Sequence, residues 1–390
     1  MGTQFQHATP AFRTYCGERA LGAVPTELDR VGAKRVVLFF GASVQRHPEA
    51  LGRVEAVLGE RLAGHFNGVR EQSPVSAVIA GVEALKDAHA DAVIAVGGGS
   101  AIVTARAASI LLAEDRDVRE LCTQRGTDGK FFSPKLLEPK LPHWVIPTTA
   151  TTAYAKAGSA LRDDETGERL ALFDPKTRAQ GVFLDPQLSL TAPIGLTLSA
   201  GLNAFAMAVE GLQSSLDDPL AVALLTQAIR ILNESLLHLR REPENPEPRL
   251  RSMVAALLSG QGTDYAGGGL AQVLSHAAGP YSSVSNGLVE ALVLPSAMRY
   301  NRSANSEWIV LIGQVIGNTG SPSGDEVHGT VGAVEKLLRG LGVPSRLRDV
   351  DISRESISEI VDHALDDWAL SRVPRPAGRQ DLETLLNDIW

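Results

Sequence analysis

Short, uninterrupted apolar runs alternate with helical periodicity through the first half of the chain. Arg35-Val-Val-Leu-Phe-Phe40 reads as a strand running into Gly41. Val75 to Ala88 carries helical spacing behind Ser73-Pro74, which supplies a start signal. Ala92 to Val96 is a buried strand that ends at once in Gly97-Gly98-Gly99-Ser100, and helical spacing resumes through Leu112. Trp144-Val-Ile-Pro147 is a short strand opening into Thr148-Thr149-Ala150-Thr151-Thr152. Gly181-Val-Phe-Leu184 closes this half before Asp185-Pro186. Such alternation describes an α/β domain built on a mainly parallel sheet covered by helices.

From about Thr197 the periodicity is helical alone. Helices are expected over Thr197–Gln213, Pro219–Leu239, Arg249–Gln261 and Gly287–Tyr300, then over Ser306–Ile316, Val327–Gly340 and Ser353–Leu365. The boundary falls near Pro186 to Pro193, giving an α/β domain over 1–190 and an all-helical domain over 191–390. Arg116 to Pro142 is charged and carries several prolines, so it reads as a surface excursion. Two domains suit 390 residues, a length at which single cores stop growing.

The bulk properties narrow the partners. Hydrophobic residues make up 44% and charged residues 21%, as in ordinary globular chains. A net charge of −8 without a basic block argues against nucleic acid and anionic membranes. No apolar run approaches the roughly 20 residues that span a bilayer. Met1-Gly-Thr-Gln-Phe-Gln-His-Ala-Thr-Pro10 lacks a basic region and an apolar core, so no signal peptide is expected. Cys16 and Cys122 form no metal or redox motif and fit a reducing cytoplasm.

The glycine loop carries the first chemistry. Glycines let backbone approach a ligand closely, and the helix that follows offers unpaired N–H groups and a positive dipole end. A tight turn explains four such residues equally well; the strand–loop–helix context favours a pyrophosphate.

With these motifs in order, the chain resembles the iron-containing alcohol dehydrogenase superfamily, and within it the maleylacetate reductases. The resemblance rests on Phe66-Asn-Gly-Val69 with Ser73-Pro74-Val75, the glycine loop, Pro147-Thr148-Thr149, and Phe183-Leu184-Asp185-Pro186. It continues through Ser199-Ala-Gly-Leu-Asn-Ala204, Ala208-Val-Glu210, Ser275-His276 with Gly279, and Ala291-Leu-Val-Leu-Pro295 before Tyr300-Asn301. It implies a Rossmann-like sheet domain followed by an all-α domain, as in dehydroquinate synthase-like folds, and a homodimer. It also implies a nicotinamide cofactor held by Gly97, Gly98, Gly99 and Ser100, with Thr148 and Thr149 along the nicotinamide half and Arg169 near the phosphates. A solvent-facing role for Arg169 stays open.

The resemblance breaks at the metal. Metal-dependent members hold a divalent ion with an aspartate, a histidine four residues later and two further histidines; the corresponding positions are Asn203, Met207, Gln272 and Asn286. Asn203 and Met207 still share a helix face at i and i+4. Amides and a thioether offer neither charge nor strong basicity, so no metal is expected. Maleylacetate reductases share the asparagine but keep the histidines. The family's Gly-Ser-Glu segment is also replaced, by Ala153-Tyr154-Ala155 with Lys156 next, and Val103 stands where many members place an aspartate. After the first strand, Phe40-Gly41 presents no carboxylate for a ribose hydroxyl, whereas Arg46 suits a 2′-phosphate; NADPH is favoured over NADH.

Without metal, a developing alkoxide needs another neutralising group. His276 matches a family histidine near the nicotinamide, and its ordinary pKa suits proton donation near neutrality. Tyr154, Lys156 and Glu290 are further catalytic candidates, each with a packing or solvated alternative. Tyr265 before Gly267-Gly268-Gly269 is a candidate pocket wall, and Glu210 reads as structural. The reading is a metal-independent NAD(P)H oxidoreductase for a carbonyl or conjugated enone of a small polar metabolite. The rival is a non-redox enzyme performing cyclisation, dehydration or condensation on the same scaffold; a third is a binding protein without turnover.

Overall fold

The computed structural model describes residues 4–127, 130–214, 218–317 and 325–390. The first three residues of the N-terminal reading and residues 128 and 129 of the 116–142 excursion lie outside it. The chain divides into two units. One comprises Thr9–Pro193, and the other Ile194–Trp390 together with the leading segment through Ala8.

Among the described residues of the first unit, six strands form one parallel sheet. They are β1 (Arg13–Cys16), β2 (Val36–Gly41), β3 (Leu62–Val69), β4 (Ala92–Gly97), β5 (His143–Pro147) and, after the hairpin β6 (Gly158–Arg162) and β7 (Arg169–Phe173), β8 (Gly181–Leu184). The order is β1-β8-β5-β4-β2-β3, every pairing parallel. Helices α1 (Val24–Val31), α2 (Pro48–Leu58), α3 (Val75–Asp87) and α4 (Gly99–Glu114) connect the strands.

Apart from His143 at the start of β5, the central strands β2, β4 and β5 have no polar side chains, because both faces are covered. Val36, Leu38 and Phe40 of β2 join Ile94, Val96, Trp144 and Ile146 in one core cluster. The alternate residues Val37, Phe39, Val93, Ala95 and Val145 are equally buried on the opposite face. There α3 comes so close that a Cβ on Gly81 would stand 2.8 Å from the Phe39 ring.

The strand order reverses between β2 and β4. From β2 the chain moves outward to β3, then returns to place β4 on the other side of β2. The C-terminal ends of β2 and β4, at Gly41 and Gly97, therefore flank a topological switch point, where open α/β sheets bind ligands. The 116–142 excursion is not featureless. Val118–Leu121 forms a helical turn, Gln124–Arg125 pairs with Phe131–Phe132, and Leu121 and Cys122 are buried.

The described residues of the second unit contain no strand, and its helices are α5 (Ile194–Gln213), α6 (Pro219–Arg241), α7 (Pro246–Ala266), α8 (Leu270–Ala278), α9 (Asn286–Val315), α10 (Glu326–Leu341), α11 (Ile357–Leu365) and α12 (Arg379–Asp388). Asp218 and Asn245 cap α6 and α7, each followed by proline at the first helical position. The two segments expected over Gly287–Tyr300 and Ser306–Ile316 are continuous as α9, except that Asn305 leaves helical geometry at φ −153° and ψ 50°. Its amide Nδ2 donates to the Gln213 carbonyl at the end of α5.

Two helices bear on the membrane reading. By length and composition α5 and α6 are apolar enough to cross a bilayer, but 67% and 44% of their most apolar stretches are buried within the protein. A helix apolar nearly all round is what the centre of a helical core requires, and α5 packs on α6, α7 and α9.

Candidate functional site

In the α/β unit, β4 is buried along its whole length and delivers the glycine loop to an accessible edge. Gly97 takes φ +144°, a conformation L side chains rarely adopt, and a Cβ there would stand 3.1 Å from the Ala101 methyl. Gly98 is the N-cap residue of α4, extended at φ −81° and ψ −167°, and no side chain caps the helix. A Cβ on Gly98 would sit 3.3 Å from Thr149 Oγ1, and one on Gly99 3.2 Å from Thr151 Oγ1. Bare glycines, a hydroxyl wall and an uncapped helix start form a cradle that side chains would fill, and it fits a pyrophosphate.

The flanking pieces are tied to this loop. The Thr148 N–H donates to Gly97 O at 3.0 Å, and Thr148 and Thr149 are both buried. Ser73 Oγ donates to Ser100 O at 3.2 Å, and Thr104 Oγ1 donates to Ser73 Oγ at 3.1 Å. Ser73 O in turn accepts the Arg162 N–H at 3.3 Å, and Arg162 pairs with Arg169 across the β6–β7 hairpin. Arg169 is exposed on this hairpin, and Arg46 is exposed just past the Ala42–Gln45 turn that follows β2.

Arg106 had no role in the sequence reading. It is fully buried on α4, where Nη1 donates to Gly158 O at 2.5 Å and Nη2 to Ala153 O at 2.7 Å. It thus pins the Thr152–Ala155 turn, which carries Tyr154 and ends at Lys156, to the glycine-loop helix. Tyr154 is itself fully buried, and desolvation pushes its phenol well above the usual value, with Cys16 adding to the rise. A phenol so placed holds its proton tightly, so its surroundings suit packing better than proton donation. Lys156 is half-buried at the end of the turn.

In the helical unit, α5 places Asn203, Met207 and Glu210 along one face. Asn203 Nδ2 donates to Glu290 Oε2 on α9, and Glu290 is fully buried. Glu210 reaches the start of α8, where its carboxylate accepts the N–H groups of Ala271 at 2.6 Å and Gln272 at 3.0 Å. Burial pushes its carboxyl up to about 7, against the lowering exerted by those N–H groups and that of Gly269. Gly269, just before α8, makes this close approach feasible: a Cβ there would lie 2.5 Å from Glu210 Cδ. At the far end of α8, a Cβ on Gly279 would lie 2.5 Å from Asn286 Oδ1, and Ser199 and Ser285 share a hydrogen bond at 2.5 Å.

His276 lies on α8 one turn beyond Gln272 and is only 17% exposed. Its Nδ1 stands 3.3 Å from Oδ2 of Asp367, 91 residues further on and invisible as a partner in the sequence. Tyr265 is no pocket wall of the expected kind. Its ring stacks on His7 at 4.3 Å, and its hydroxyl accepts the Ala8 N–H at 2.9 Å, clasping the leading segment; His7 Nδ1 is 2.6 Å from Asp218 Oδ2.

The positions Asn203, Met207, Gln272 and Asn286 do not fit a divalent metal, for they present amides and a thioether. Among the described residues no three His, Cys, Asp or Glu side chains gather to hold one elsewhere.

Known families account for this architecture. The iron-containing alcohol dehydrogenase model matches residues 10–186, and the model of that family's C-terminal domain matches residues 197–390. The chain belongs to the iron-containing alcohol dehydrogenase family. It is 29% identical to maleylacetate reductase 1 of Cupriavidus pinatubonensis over 378 residues, 96% of this chain and 94% of that protein. It is 28% identical to lactaldehyde reductase of Escherichia coli over 389 residues, 96% and 97% of the two chains. Among solved structures, maleylacetate reductase from a Rhizobium species superposes with a TM-score of 0.80 at 24% identity, covering 100% and 99% of the two chains. That superposition speaks for the fold. The family and fold resemblance drawn from the motifs is borne out, as is the expectation of an oxidoreductase.

Proposed function

We propose that this chain is a metal-independent reductase that uses a nicotinamide cofactor, NADPH in preference to NADH, on a carbonyl or conjugated enone of a small polar metabolite. The observation that carries the reading is the donor set. The family scaffold and its glycine cradle are kept, while the four metal positions hold neutral amides and a thioether beside a titratable imidazole, His276. Sequence similarity to maleylacetate reductases and other reductases of the family supports the redox chemistry. Relatives described as NAD-dependent, or solved with NAD+, support the cofactor class.

The reduced nicotinamide supplies a hydride for the electrophilic carbon. The protein does the rest. Gly97, Gly98 and Gly99 would let backbone approach a pyrophosphate closely, and Ser100 lies in the first helical turn, whose N–H groups would hold the anion. Thr149 and Thr151 wall the cradle, and Arg106 keeps the adjoining turn in place. Arg46 is an exposed cation suited to a 2′-phosphate, and Arg169, exposed on the β6–β7 hairpin, is placed near the phosphates by the family resemblance. His276 gives a proton to the oxygen of the reduced carbonyl, the task a metal performs electrostatically in other family members. Glu290, Lys156 and Tyr154 rank behind it: Glu290 is engaged with Asn203, Lys156 is half-exposed, and Tyr154 is buried with a raised pKa.

The rival reading, a non-redox enzyme on the same scaffold, draws on the same replaced metal positions together with Ala153-Tyr154-Ala155. One experiment separates the two. The protein is titrated with NADPH and NADH by nicotinamide fluorescence and then screened against carbonyl substrates in chelator, with His276→Ala as control. Micromolar binding and chelator-resistant turnover support the reductase. No binding of either nucleotide overturns it in favour of nucleotide-free chemistry.

A further inference from the structure

His276 is the only titratable side chain on α8. Asp367, half-hidden at 11% exposure, divides its two oxygens between two tasks. Oδ1 accepts the Ala369 N–H at 2.9 Å and caps the Trp368–Arg372 turn, while Oδ2 faces His276 Nδ1 at 3.3 Å. The cap fixes the carboxylate, and the carboxylate then addresses one particular nitrogen of the ring.

The other charged groups on elements packed against α8 have partners elsewhere or lie exposed, as Glu307 of α9 does. On α5, Glu210 accepts the first N–H groups of α8 itself; on α9, Glu290 accepts from Asn203. Farther along α9, Arg299 and Arg302 pair with Glu335 and Asp325. On α11, His363 lies against the Tyr281 ring at 6.1 Å, Glu359 bonds the Tyr281 phenol, and Asp362 pairs with Arg379. Past α11, Asp366 is exposed, and Arg372 lies over the Trp368 ring at 5.3 Å.

We propose that Asp367 is the positioning residue for His276: it holds the imidazole with Nδ1–H toward the carboxylate and leaves Nε2 as the atom that gives up the proton. A nearby carboxylate favours the imidazolium over the neutral ring, and partial burial strengthens the attraction relative to water. This rests on the reductase reading for its chemistry. As a new C–H bond forms from the delivered hydride, the π pair of the carbonyl moves to oxygen. The Nε2–H bond of His276 breaks as the O–H bond forms. The carbonyl is reduced, the nicotinamide is oxidised, and His276 is left neutral with its remaining proton on Nδ1.

The test begins without turnover. In protein labelled with 15N-histidine, the His276 signals are assigned by their loss in His276→Gln, and tautomer and titration are read by NMR. The expected result for the wild type is a neutral ring protonated on Nδ1. Asp367→Asn removes the charge but keeps an efficient helix cap, and its His276 is expected to titrate about one unit lower, a tenfold change in the ionisation constant. A neutral ring protonated on Nε2 in the wild type overturns the proposal even if the variant fails to fold, and so does an unchanged titration in Asp367→Asn. With NADPH and a carbonyl substrate, Asp367→Asn is expected to lose about tenfold in kcat above neutral pH, its profile displaced to the acid side and KM for NADPH unchanged. An unshifted pH profile overturns the proposal too. If neither protein reduces any carbonyl, the reductase reading fails, and the NMR titration still decides the Asp367–His276 pair.

Discussion

Replacing Glu210 by glutamine probes the anchor of α8, the helix that carries Gln272 and His276. Two effects compete at this carboxyl. Desolvation raises its pKa, and the N–H groups at the start of α8 lower it; burial wins, and the group is pushed from 4.5 up to about 7. A difference of about 2.5 units corresponds to roughly 3 kcal/mol at about 1.4 kcal/mol per unit. Because the folded value exceeds the unfolded one, this contribution is fully present below pH 4.5 and is lost as pH rises through about 7. Glu210→Gln cannot ionise, so its stability lacks that slope. Urea unfolding of both proteins between pH 4.5 and 8 gives the comparison. The stability of the variant relative to the wild type is expected to rise by about 3 kcal/mol across that interval. The reasoning is refuted if the wild type instead gains stability on the variant as pH rises, for then the α8 N-terminus outweighs desolvation and the carboxylate is the preferred form.

Three further perturbations probe the α/β unit. Gly98→Ala sets a methyl 3.3 Å from Thr149 Oγ1 in backbone that alanine readily adopts; NADPH affinity is expected to fall at least about tenfold, about 1.4 kcal/mol, with little change in Tm. His143 is fully buried on β5, and burial, with Arg106 nearby, lowers its pKa from 6.5 to about 3. Its stability contribution is therefore present above pH 6.5 and lost as pH falls toward 3, so His143→Gln should flatten the acid limb of unfolding measured between those values. Arg106→Met removes the guanidinium donor from the Gly158 carbonyl and from the Ala153 carbonyl, which keeps the Lys156 N–H, and chemical denaturation should show a loss of roughly 1–3 kcal/mol.

Much of the sheet is legible in the sequence because β2, β4 and β5 are buried on both faces and so read as unbroken apolar runs. The long helices are legible for the complementary reason that their spacing is regular, although α7 begins at Pro246 behind its Asn245 cap, three residues before the expected Arg249. β1 and β3 are different. Arg13-Thr-Tyr-Cys16 is mostly exposed at one edge, and Leu62–Val69 at the other includes Gly64, His65, Asn67 and Gly68. Neither yields a pattern, and each is recruited by pairing with a neighbour. The glycine cradle is local, so its residues could be named in order from the chain. The cluster in the helical unit is not local: His276 meets Asp367 across 91 residues, and Asn203 meets Glu290 across 87. Arg106 carries no signal at all, since an arginine in an apolar helix declares its buried carbonyl partners only once the chain is folded.

Reduction without metal is decided by chelation. Turnover of NADPH with a carbonyl substrate is measured on the purified enzyme, after exhaustive chelation, and after addition of ferrous or zinc ion. One rate is expected in all three conditions, with its loss in His276→Ala. Activity abolished by chelator and restored by either ion would contradict it, and would mean that Asn203, Met207, Gln272 and Asn286 bind what their chemistry argues they cannot.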